Sequence, residues 1–597
     1  MPSARSLFHL SLAIVVTLAA VQAHQASAQN TTPEKKTTST PWGLSSSAGS
    51  TRNAAEWLPK VAAAGVTTVR MFPEWRNFEP KTGTWNWTGG DALVKAATDN
   101  RIEINAILMG AAPEAKAVHA FPMENLDGWS NYVSKVVERY KDRVHYWEVW
   151  NEGNGGFNDG KHTTVDYAQL AIRTYEAAKQ ADPNAQVGLT VASYDAPYLQ
   201  QTILAMQKAK KPNSFDYLCI HPYEIADGLA GVDGEIPYLW MTHSLREMLK
   251  VSAPEKVNAE IWITEVGHRI GESHGQKITD HDAAIAFAKI YVMAIAQGIA
   301  RTQWFEAQDP IGEDAGFGLI SRDGKERPSY RTLKTLSSKL GSTPAYQGWL
   351  AVGQGGRGYG FVFGQEKTPV LVAWMPSGLT DASLSFPNDV EVTDLLSTTT
   401  ITLRAGQPLG LTDEPLLIEG VPSDLVTQAR SNAGKNFPWG GDFSKAKSVS
   451  LQLGSTEPSQ GIFPTGRTAS PSVTFPDGSI GIVVQGDISH GVSFYVHPSF
   501  ASLQTRDYYI RVTARRFSAG NVGMNLIYEV ADSQGHGAYS NAGKWFGANA
   551  GTDWQTYTWH VTDACFSKMW GYDIVVRPEE SVPFAIGNIE VSTVPFE

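Results

Sequence analysis

Short apolar runs alternate with longer helical patterns through residues 41–340 of this chain. The short runs predict strands that are buried on both faces. The longer segments, with apolar residues three and four positions apart, predict amphipathic helices. Eight strand-like runs are found, at residues 42–46, 66–72, 102–108, 144–150, 186–191, 217–222, 261–266 and 302–307.

Eight strand and helix units in about 300 residues predict a closed (β/α)8 barrel, the TIM barrel, over residues 41–340. The alternative is an open doubly wound sheet. That fold usually carries a Gly-rich phosphate turn after its first strand, and no such turn follows residues 42–46. The barrel is therefore the favoured interpretation.

The helical period disappears after residue 340. Short strands with turn residues between them predict a small β-sandwich domain over residues 341–422, and Pro and Gly turns suggest a linker over 423–445. Residues 446–597 again read as regularly spaced strands, which is typical of a β-sandwich of the jelly-roll type. The predicted fold class is α/β: a TIM barrel followed by two β-domains.

The N-terminus has the pattern of a secretory signal peptide. Arg5 precedes an apolar stretch, and Ala26-Ser27-Ala28 offers a small-x-small cleavage pattern. We therefore expect a signal peptide at residues 1–28, cleavage near Ala28, and a polar linker at 29–40. No other stretch approaches the length of a membrane span, so a secreted or periplasmic protein without a membrane span is expected.

Composition narrows the choice of ligand. The 597 residues carry a formal net charge of -11, which argues against nucleic acid as a partner. Only 18% of residues are charged while 10% are aromatic, and aromatic faces pack on the apolar faces of sugar rings. Two cysteines provide neither a disulfide framework nor a four-cysteine zinc site. A neutral glycan is the partner that this composition favours, and no obligate protein partner is inferred.

Two glutamates lie at the ends of the fourth and seventh predicted strands. Glu152 ends the segment Trp150-Asn151-Glu152, and Glu265 ends Trp262-Ile263-Thr264-Glu265. Because catalytic side chains of a TIM barrel lie at the carboxyl ends of its strands, both should reach one mouth of the barrel. An isolated Asn-Glu or Thr-Glu dipeptide would indicate no more than a solvated or capping acid.

These motifs resemble those of clan A glycoside hydrolases over residues 41–340, and within the clan they look most like family 39. The resemblance also rests on Arg70 ending the second strand, on His221-Pro222-Tyr223 ending the sixth, and on Trp304 in the eighth. Asn154-Gly155-Gly156 departs from the pattern, since the family often has Pro and then Asn there.

The resemblance implies that Glu152 is the acid/base and Glu265 the nucleophile of a retaining hydrolase. The chemistry requires one carboxylic acid to protonate the leaving oxygen and one carboxylate to attack the anomeric carbon, with the two carboxyls about 5–5.5 Å apart. Partial burial and the negative charge of Glu265 are expected to keep Glu152 protonated near neutral pH.

Seven further residues are candidate substrate-binding groups. Asn151 is expected to donate to the sugar 2-hydroxyl, Arg70 to keep Glu265 ionised, and Tyr223 to donate to Glu265. Trp304 is expected to form a sugar platform, unless it is a core aromatic. His221 is either a sugar contact or a satisfied core histidine. His268 and Glu306 are possible subsite residues.

The predicted function is hydrolysis of β-linked polysaccharides or oligosaccharides. No metal motif is present, and the G-x-G-x-x-G at residues 353–358 precedes a strand, so no metal and no cofactor is expected. A non-catalytic carbohydrate-binding protein and a transglycosylase remain alternatives. The sugar remains open among xylose, galactose, glucose and arabinose. The C-terminal domain resembles carbohydrate-binding modules, whose exposed aromatics tether an enzyme to a polysaccharide.

Overall fold

The computed structural model describes residues 40–117, 120–273, 276–311, 315–364, 368–454, 459–465, 471–485, 491–519, 523–531, 537–543, 551–578 and 582–597. The predicted signal peptide and all but the last residue of the predicted linker lie outside the described residues. Among the helices of the described chain, none has the length and apolar character needed to cross a membrane.

Eight parallel strands close into a barrel in chain order, with the eighth strand paired to the first. The TIM barrel predicted from the apolar runs is confirmed, and each observed strand falls on one of the eight runs. The strands are β1 (Trp42–Ser45), β2 (Thr68–Arg70), β3 (Glu103–Leu108), β4 (Tyr146–Val149), β5 (Gln186–Ala192), β6 (Tyr217–His221), β7 (Glu260–Val266) and β8 (Arg301–Phe305).

Helices surround the barrel and bury their apolar stripes against the strands. Two of the longest begin with capping boxes, in which Thr163 and Asp166, or Thr279 and Asp282, satisfy each other's backbone amides. The α-helices are Ala48–Thr51, Ala54–Ala63, Trp75–Phe78, Thr88–Asp99, Leu126–Tyr140, Thr164–Ala181, Ala196–Lys208, Tyr223–Asp227, Glu235–Leu239, Met241–Ser252, Asp280–Ala296 and Pro328–Leu340. Short 3-10 turns lie at Pro122–Asn125, Gly156–Asn158, Gly228–Ala230, Pro254–Lys256 and Gln354–Gly356, and a small hairpin, Gly271–Ser273 with Gln276–Ile278, follows β7.

A small β-domain follows the last barrel helix, as predicted. Its six-stranded sheet consists of Tyr346–Val352, Gly358–Phe363, Val370–Trp374, Val390–Asp394, Thr400–Leu403 and Leu416–Glu419, and Asp381–Ser385 pairs with Pro408–Leu411.

The expected linker at 423–445 begins instead with a helix, Ser423–Asn432, which buries Val426 and Ala429 against this domain. At Gly348 a Cβ would lie 1.8 Å from the carbonyl oxygen of Ala429, so only glycine lets the helix pack this closely.

The C-terminal residues form a curled antiparallel sheet that encloses its own apolar core, in agreement with the predicted β-sandwich. Long strands alternate between buried and exposed positions, as in Arg506–Arg516. The strands are Ser448–Gln452, Ile462–Pro464, Ser472–Thr474, Ile480–Val484, Val492–Val496, Arg506–Arg516, Met524–Ala531, Gly537–Asn541, Gln555–Ala564, Ile574–Pro578 and Phe584–Ser592.

Candidate active site

The chain turns sharply at the carboxyl end of β4. Trp150 and Glu152 both adopt left-handed backbone conformations, with φ of 64° and 48°. Such conformations are uncommon for residues other than glycine and concentrate at functional sites. The Trp150 indole is fully buried and donates to the carbonyl of Phe157 over 2.8 Å, which fixes the turn that presents Glu152.

A β-bulge positions Glu265. From Ile263 to Val266 strand β7 advances three residues, while its partner β8 advances only two, from Thr302 to Trp304. Thr264 already faces the barrel interior, so strict alternation would turn Glu265 outward. The extra residue of the bulge re-aims the Glu265 carboxylate into the mouth of the barrel.

Glu152 and Glu265 meet in this mouth. A carboxylate oxygen of each and a ring nitrogen of His221 all lie within 4.8 Å of one another. The side chain of Glu152 is 20% exposed and that of Glu265 is 14% exposed, so both keep access to the cleft. The structure therefore brings together the two glutamates that the sequence singled out.

Arg70 and Tyr223 hold the Glu265 carboxylate. Arg70 Nη1 donates to Glu265 Oε1, and the Tyr223 hydroxyl donates to Glu265 Oε2 over 3.1 Å. Burial raises the pKa of Tyr223 and the negative charge of Glu265 raises it further, so the phenol remains a donor. Two donors on one carboxylate hold it in a fixed orientation.

The guanidinium of Arg70 also reaches two other groups. Arg70 Nε donates to Glu148 and Nη2 donates to Asn151 Oδ1, each over 2.8 Å. Burial lowers the pKa of Arg70, but the charges of Glu148 and Glu265 outweigh burial and raise it above its ordinary value. Because the Asn151 oxygen is engaged by Arg70, the amide NH2 of Asn151 is the group left to donate to a ligand.

Glu148 is a site residue that the sequence reasoning missed. It is fully buried on β4 and accepts hydrogen bonds from Arg70, from Asn105 and, over 3.0 Å, from the Thr190 hydroxyl. A single acid inside an otherwise apolar strand was the available signal, since buried charges require a partner. The carboxylate of Glu148 therefore holds the guanidinium of Arg70 in place from within the barrel.

His221 lies between the glutamates and the barrel interior. Its Nδ1 is 2.8 Å from Glu152 Oε1 and 3.9 Å from Glu265 Oε2, and its Nε2 is 3.1 Å from the Thr264 hydroxyl. The imidazole is fully buried. His221 is thus a partner of the acid/base candidate, with both ring nitrogens engaged by protein groups.

The pKa of Glu152 is lowered from its ordinary value. Burial raises the pKa, but the hydrogen bond and charge of His221, together with the charge of Arg70, outweigh burial. The expectation that the surroundings hold Glu152 protonated is therefore wrong in direction. The physical reason is the hydrogen bond to His221, which the sequence placed only as a sugar contact or a core residue.

Trp304 does not face the cleft. It is 1% exposed, stacks obliquely on Phe287 and donates to the carbonyl of Phe317 over 3.1 Å. On β8 the side chain of Gln303 points inward, to Asn105 over 3.3 Å, so by alternation the inward aromatic at the strand end is Phe305. Phe305 is half-buried, whereas Trp304 is the core aromatic that the sequence left as the alternative.

The structure gives His268 and Glu306 contacts with groups other than the two glutamates. His268 is 4% exposed, lies 3.6 Å from Asp227, and lines a separate cavity of about 300 Å³ between the barrel and the small β-domain. Glu306 is fully buried and accepts hydrogen bonds from the amide and hydroxyl of Ser47. Both residues have structural contacts, and their subsite roles stay predictions.

Within the described chain, Glu152, His221 and Glu265 are the cluster whose spacing could hold a metal ion. Arg70 already donates to Glu265 from a buried position, so a positive charge stands where a cation would be attracted. The arrangement suits a pair of reactive carboxyl groups better than ion binding.

Comparisons with known proteins find similarity to glycoside hydrolases. Residues 61–209 match the model of Glycosyl hydrolase family 10, a span that includes Glu152 but not Glu265. Endo-1,4-beta-xylanase A of Halalkalibacterium halodurans is 28% identical over 131 residues, 17% of this chain and 32% of that protein. Endo-1,4-beta-xylanase C of Phanerodontia chrysosporium is 30% identical over 136 residues, 21% of this chain and 33% of that protein. The chain thus spans about a third of the length of the curated relatives it matches.

A solved family 39 glycoside hydrolase from the gut symbiont Bacteroides cellulosilyticus WH2 shares the fold, with a TM-score of 0.52 and 22% identity. The match covers 65% of this chain and 82% of that one.

The closed barrel and these matches support the class that the sequence motifs indicated, the clan A glycoside hydrolases. The sequence match is to family 10 and the structural likeness is to family 39, so the assignment to family 39 stays a prediction.

Proposed function

We propose that this protein is a retaining glycoside hydrolase that cleaves β-linked glycans by double displacement. The observation that supports this most directly is the approach of the Glu152 and Glu265 carboxylates to within 4.8 Å at the barrel mouth. Retaining glycosidases need carboxyls about 5–5.5 Å apart, whereas inverting enzymes leave room for a water between carboxyls about 6.5–9.5 Å apart.

In the first step Glu265 attacks the anomeric carbon. Arg70 and Tyr223 hold its carboxylate oriented. Glu152 delivers a proton to the leaving oxygen, and the bond between that oxygen and the anomeric carbon breaks as the Glu265 ester forms. Asn151 is placed to donate to the 2-hydroxyl, a bond that strengthens as charge develops on the sugar ring.

In the second step Glu152, now ionised, accepts a proton from water, which attacks the anomeric carbon and releases Glu265. The lowered pKa of Glu152 favours the ionised form that this step requires. His221, at 2.8 Å from Glu152, is positioned to share the proton that Glu152 gives and takes.

The relatives named endo-1,4-beta-xylanases make β-1,4-xylan and its oligosaccharides the first substrates to test. We propose export as well, on the basis of the apolar segment and the Ala26-Ser27-Ala28 pattern. Mass measurement of the exported protein tests export, with a new N-terminus expected after Ala28.

The decisive experiment is reducing-sugar release from a panel of β-glycans by the wild type and by Glu265→Gln and Glu152→Gln. We expect each substitution to lower kcat by about a thousandfold or more, because each removes a group that acts in the transition state. Glu247→Gln, on the outer face of a barrel helix, is the matched control and should retain full activity. Activity that survives in Glu265→Gln would contradict the proposal.

Two alternatives are separated in the same assays. Tight glycan binding without release from any member of the panel would favour a non-catalytic binding protein. Longer products at high acceptor concentration would favour transglycosylation, in which a sugar replaces water in the second step.

A further inference from the structure

The C-terminal β-sandwich is anchored to the barrel mouth at strand β5. Asp195, which is 1% exposed, caps the helix Ala196–Lys208 by accepting from the amide of Tyr198, and it also accepts from the amide of Gly537 in the sandwich over 3.0 Å. The amide of Tyr194 donates to the carbonyl of Met569. Backbone groups of the two domains are thus bonded directly.

A second contact brings the same sandwich loop, residues 567–573, against the segment after β6. Gly571 has a φ of 78°, and a Cβ on it would lie 2.7 Å from the carbonyl oxygen of Glu224. Only glycine permits this approach. Since Glu224 follows Tyr223, a partner of Glu265, the loop lies beside the catalytic mouth.

Buried carboxyls hold this loop in shape. Glu529 is fully buried and accepts from the backbone amides of Ser567, Lys568 and Met569 over 2.6–2.9 Å. Asp573 accepts from the Lys568 ammonium over 3.1 Å. A loop fixed by this many buried hydrogen bonds presents its remaining side chains in one arrangement.

Trp570 is carried by this loop and lines a cleft of about 640 Å³. Its side chain is 48% exposed, whereas Trp559 of the same domain is 5% exposed and Trp439 is 6% exposed. An edge contact with Tyr539 supports one side of the indole. Trp545, another aromatic singled out in the sequence, lies outside the described residues.

The opposite wall of the cleft is the loop that follows the acid/base candidate. Asn154 and Gly155 line it together with Ala192 and Ser193 at the end of β5. The amide of Gly155 donates to the carbonyl of Glu152 over 2.8 Å, so this part of the lining is bonded to the backbone of Glu152. His162 and Asp195 add polar groups to the lining.

A general acid lies beside the oxygen that departs, so a cleft next to Glu152 receives the leaving part of the substrate. An indole face opposite polar side chains matches a sugar unit, which has apolar faces and a rim of hydroxyls. We propose that the C-terminal β-sandwich forms one wall of the leaving-group half of the catalytic cleft, with Trp570 as the platform for sugar units on that side. This inference rests on the proposed hydrolase function.

It follows that the sandwich acts in the cleavage of oligosaccharides and is not merely a tether to the polysaccharide. Its contribution should depend on the leaving group. A substrate whose leaving group is a chain of sugars occupies the cleft, and one whose leaving group is a single atom does not.

The test compares hydrolysis of β-1,4-xylotetraose with that of β-xylobiosyl fluoride, or the corresponding pair for the sugar that the glycan panel identifies. For Trp570→Ala and Trp570→Leu we expect kcat/KM on the tetrasaccharide to fall about tenfold or more, the cost of losing one aromatic contact, and kcat/KM on the fluoride to stay within about twofold. Trp570→Phe should retain most of the tetrasaccharide activity, since a flat ring remains. Trp570→Leu keeps an apolar side chain should the alanine variant fold poorly.

Phe517→Ala is the matched control, because Phe517 is an aromatic of the same domain, 44% exposed, that does not line the cleft. It should leave both substrates unaffected. Equal losses on the two substrates, or no loss on the tetrasaccharide, would overturn the inference.

The fluoride also separates the two proposals. Fluoride hydrolysis that survives Glu265→Gln defeats the hydrolase mechanism. Fluoride hydrolysis that depends on Glu265, with tetrasaccharide cleavage unchanged in the Trp570 variants, defeats the cleft proposal alone.

Discussion

Glu152 and His221 share one hydrogen bond, and that bond acts on the pKa of the acid. His221 lowers the pKa of Glu152 against the effect of burial. A lowered pKa favours the ionised Glu152 that the second step requires. It also narrows the pH range in which Glu152 is protonated and can act as the acid of the first step.

Replacing His221 by Phe should therefore move the alkaline limb of the kcat/KM profile to higher pH. Without the hydrogen bond and charge of His221, burial prevails and the pKa of Glu152 rises, so the protonated acid persists further up the pH scale. The measurement is kcat/KM against pH on one oligosaccharide.

His281→Phe serves as the control for that profile, because His281 is exposed and pairs with Glu414 at 3.0 Å, outside the catalytic cluster. An alkaline limb that stays in place in His221→Phe, or moves down, contradicts the assigned role of His221.

Some residue roles could be predicted from the sequence and others could not. Glu152, Glu265, Arg70 and Tyr223 follow strand ends, so the barrel fold alone brings them to one mouth. The prediction that Trp304 faces the cleft is wrong, because the side of the barrel wall that a residue faces depends on strand register. The side chain of Gln303, next to Trp304 on the same strand, points inward, and alternation then makes Phe305 the inward aromatic. Trp570 is more than 400 positions from Glu152 in the chain, and no local pattern reports such a contact.

The strands of the barrel were predictable because each is an apolar run of strand length, buried on both faces. Two local irregularities were not predictable. The β7 bulge that turns Glu265 inward depends on pairing with β8, and the helix Ser423–Asn432 has a weakly apolar sequence that tertiary packing stabilises. Both are set by neighbours in space and not by local preference.

The buried Glu529, which holds the loop at residues 567–573, makes the free energy of unfolding depend on pH. Burial and the negative charge of Asp573 raise the pKa of Glu529 to about 8. Because the folded state holds this proton more tightly than the unfolded state, its contribution to the free energy of unfolding is complete below the unfolded pKa, near 4.5. That contribution is lost as the pH rises through the folded pKa of about 8.

The melting temperature of the wild type should therefore fall between about pH 5 and about pH 9 more steeply than that of Glu529→Gln, which cannot ionise. Differential scanning calorimetry across this range measures both slopes, whatever the absolute stability of the variant. Glu590→Gln, a change at a partly exposed pair with Arg511 in the same sandwich, should keep the wild-type slope. Parallel slopes for wild type and Glu529→Gln would show that Glu529 does not control this loop.

Residues 40–597 form one compact unit, although the sequence suggests three domains. One continuous apolar core contains barrel residues, Trp374 of the small β-domain and Tyr495 of the sandwich. Polar contacts reinforce it: Trp374 donates to buried Glu235 over 3.1 Å, and the Tyr495 hydroxyl donates to the carbonyl of Asp233 over 2.7 Å. The composition of the chain indicates where one domain ends and the next begins, but it does not indicate how closely the domains pack against one another.

We expect this unit to unfold in a single cooperative transition. Because the core is shared, loss of one part exposes apolar surface of the others. Calorimetry of the full chain should give a calorimetric enthalpy close to the van't Hoff enthalpy. Two separated transitions, with catalytic activity surviving the first, would show instead that the β-sandwich is an independent module.

The most direct test of the whole account is to trap the covalent intermediate. A 2-fluoro-β-glycoside with a good leaving group, carrying the sugar that the glycan panel identifies, slows the second step so that the glycosyl ester accumulates. Mass spectrometry of the digested protein should then find one sugar attached to the peptide that contains Glu265, and none in Glu265→Gln. A sugar attached to another residue, or turnover of the natural substrate with inversion at the anomeric carbon and no adduct, would contradict the account.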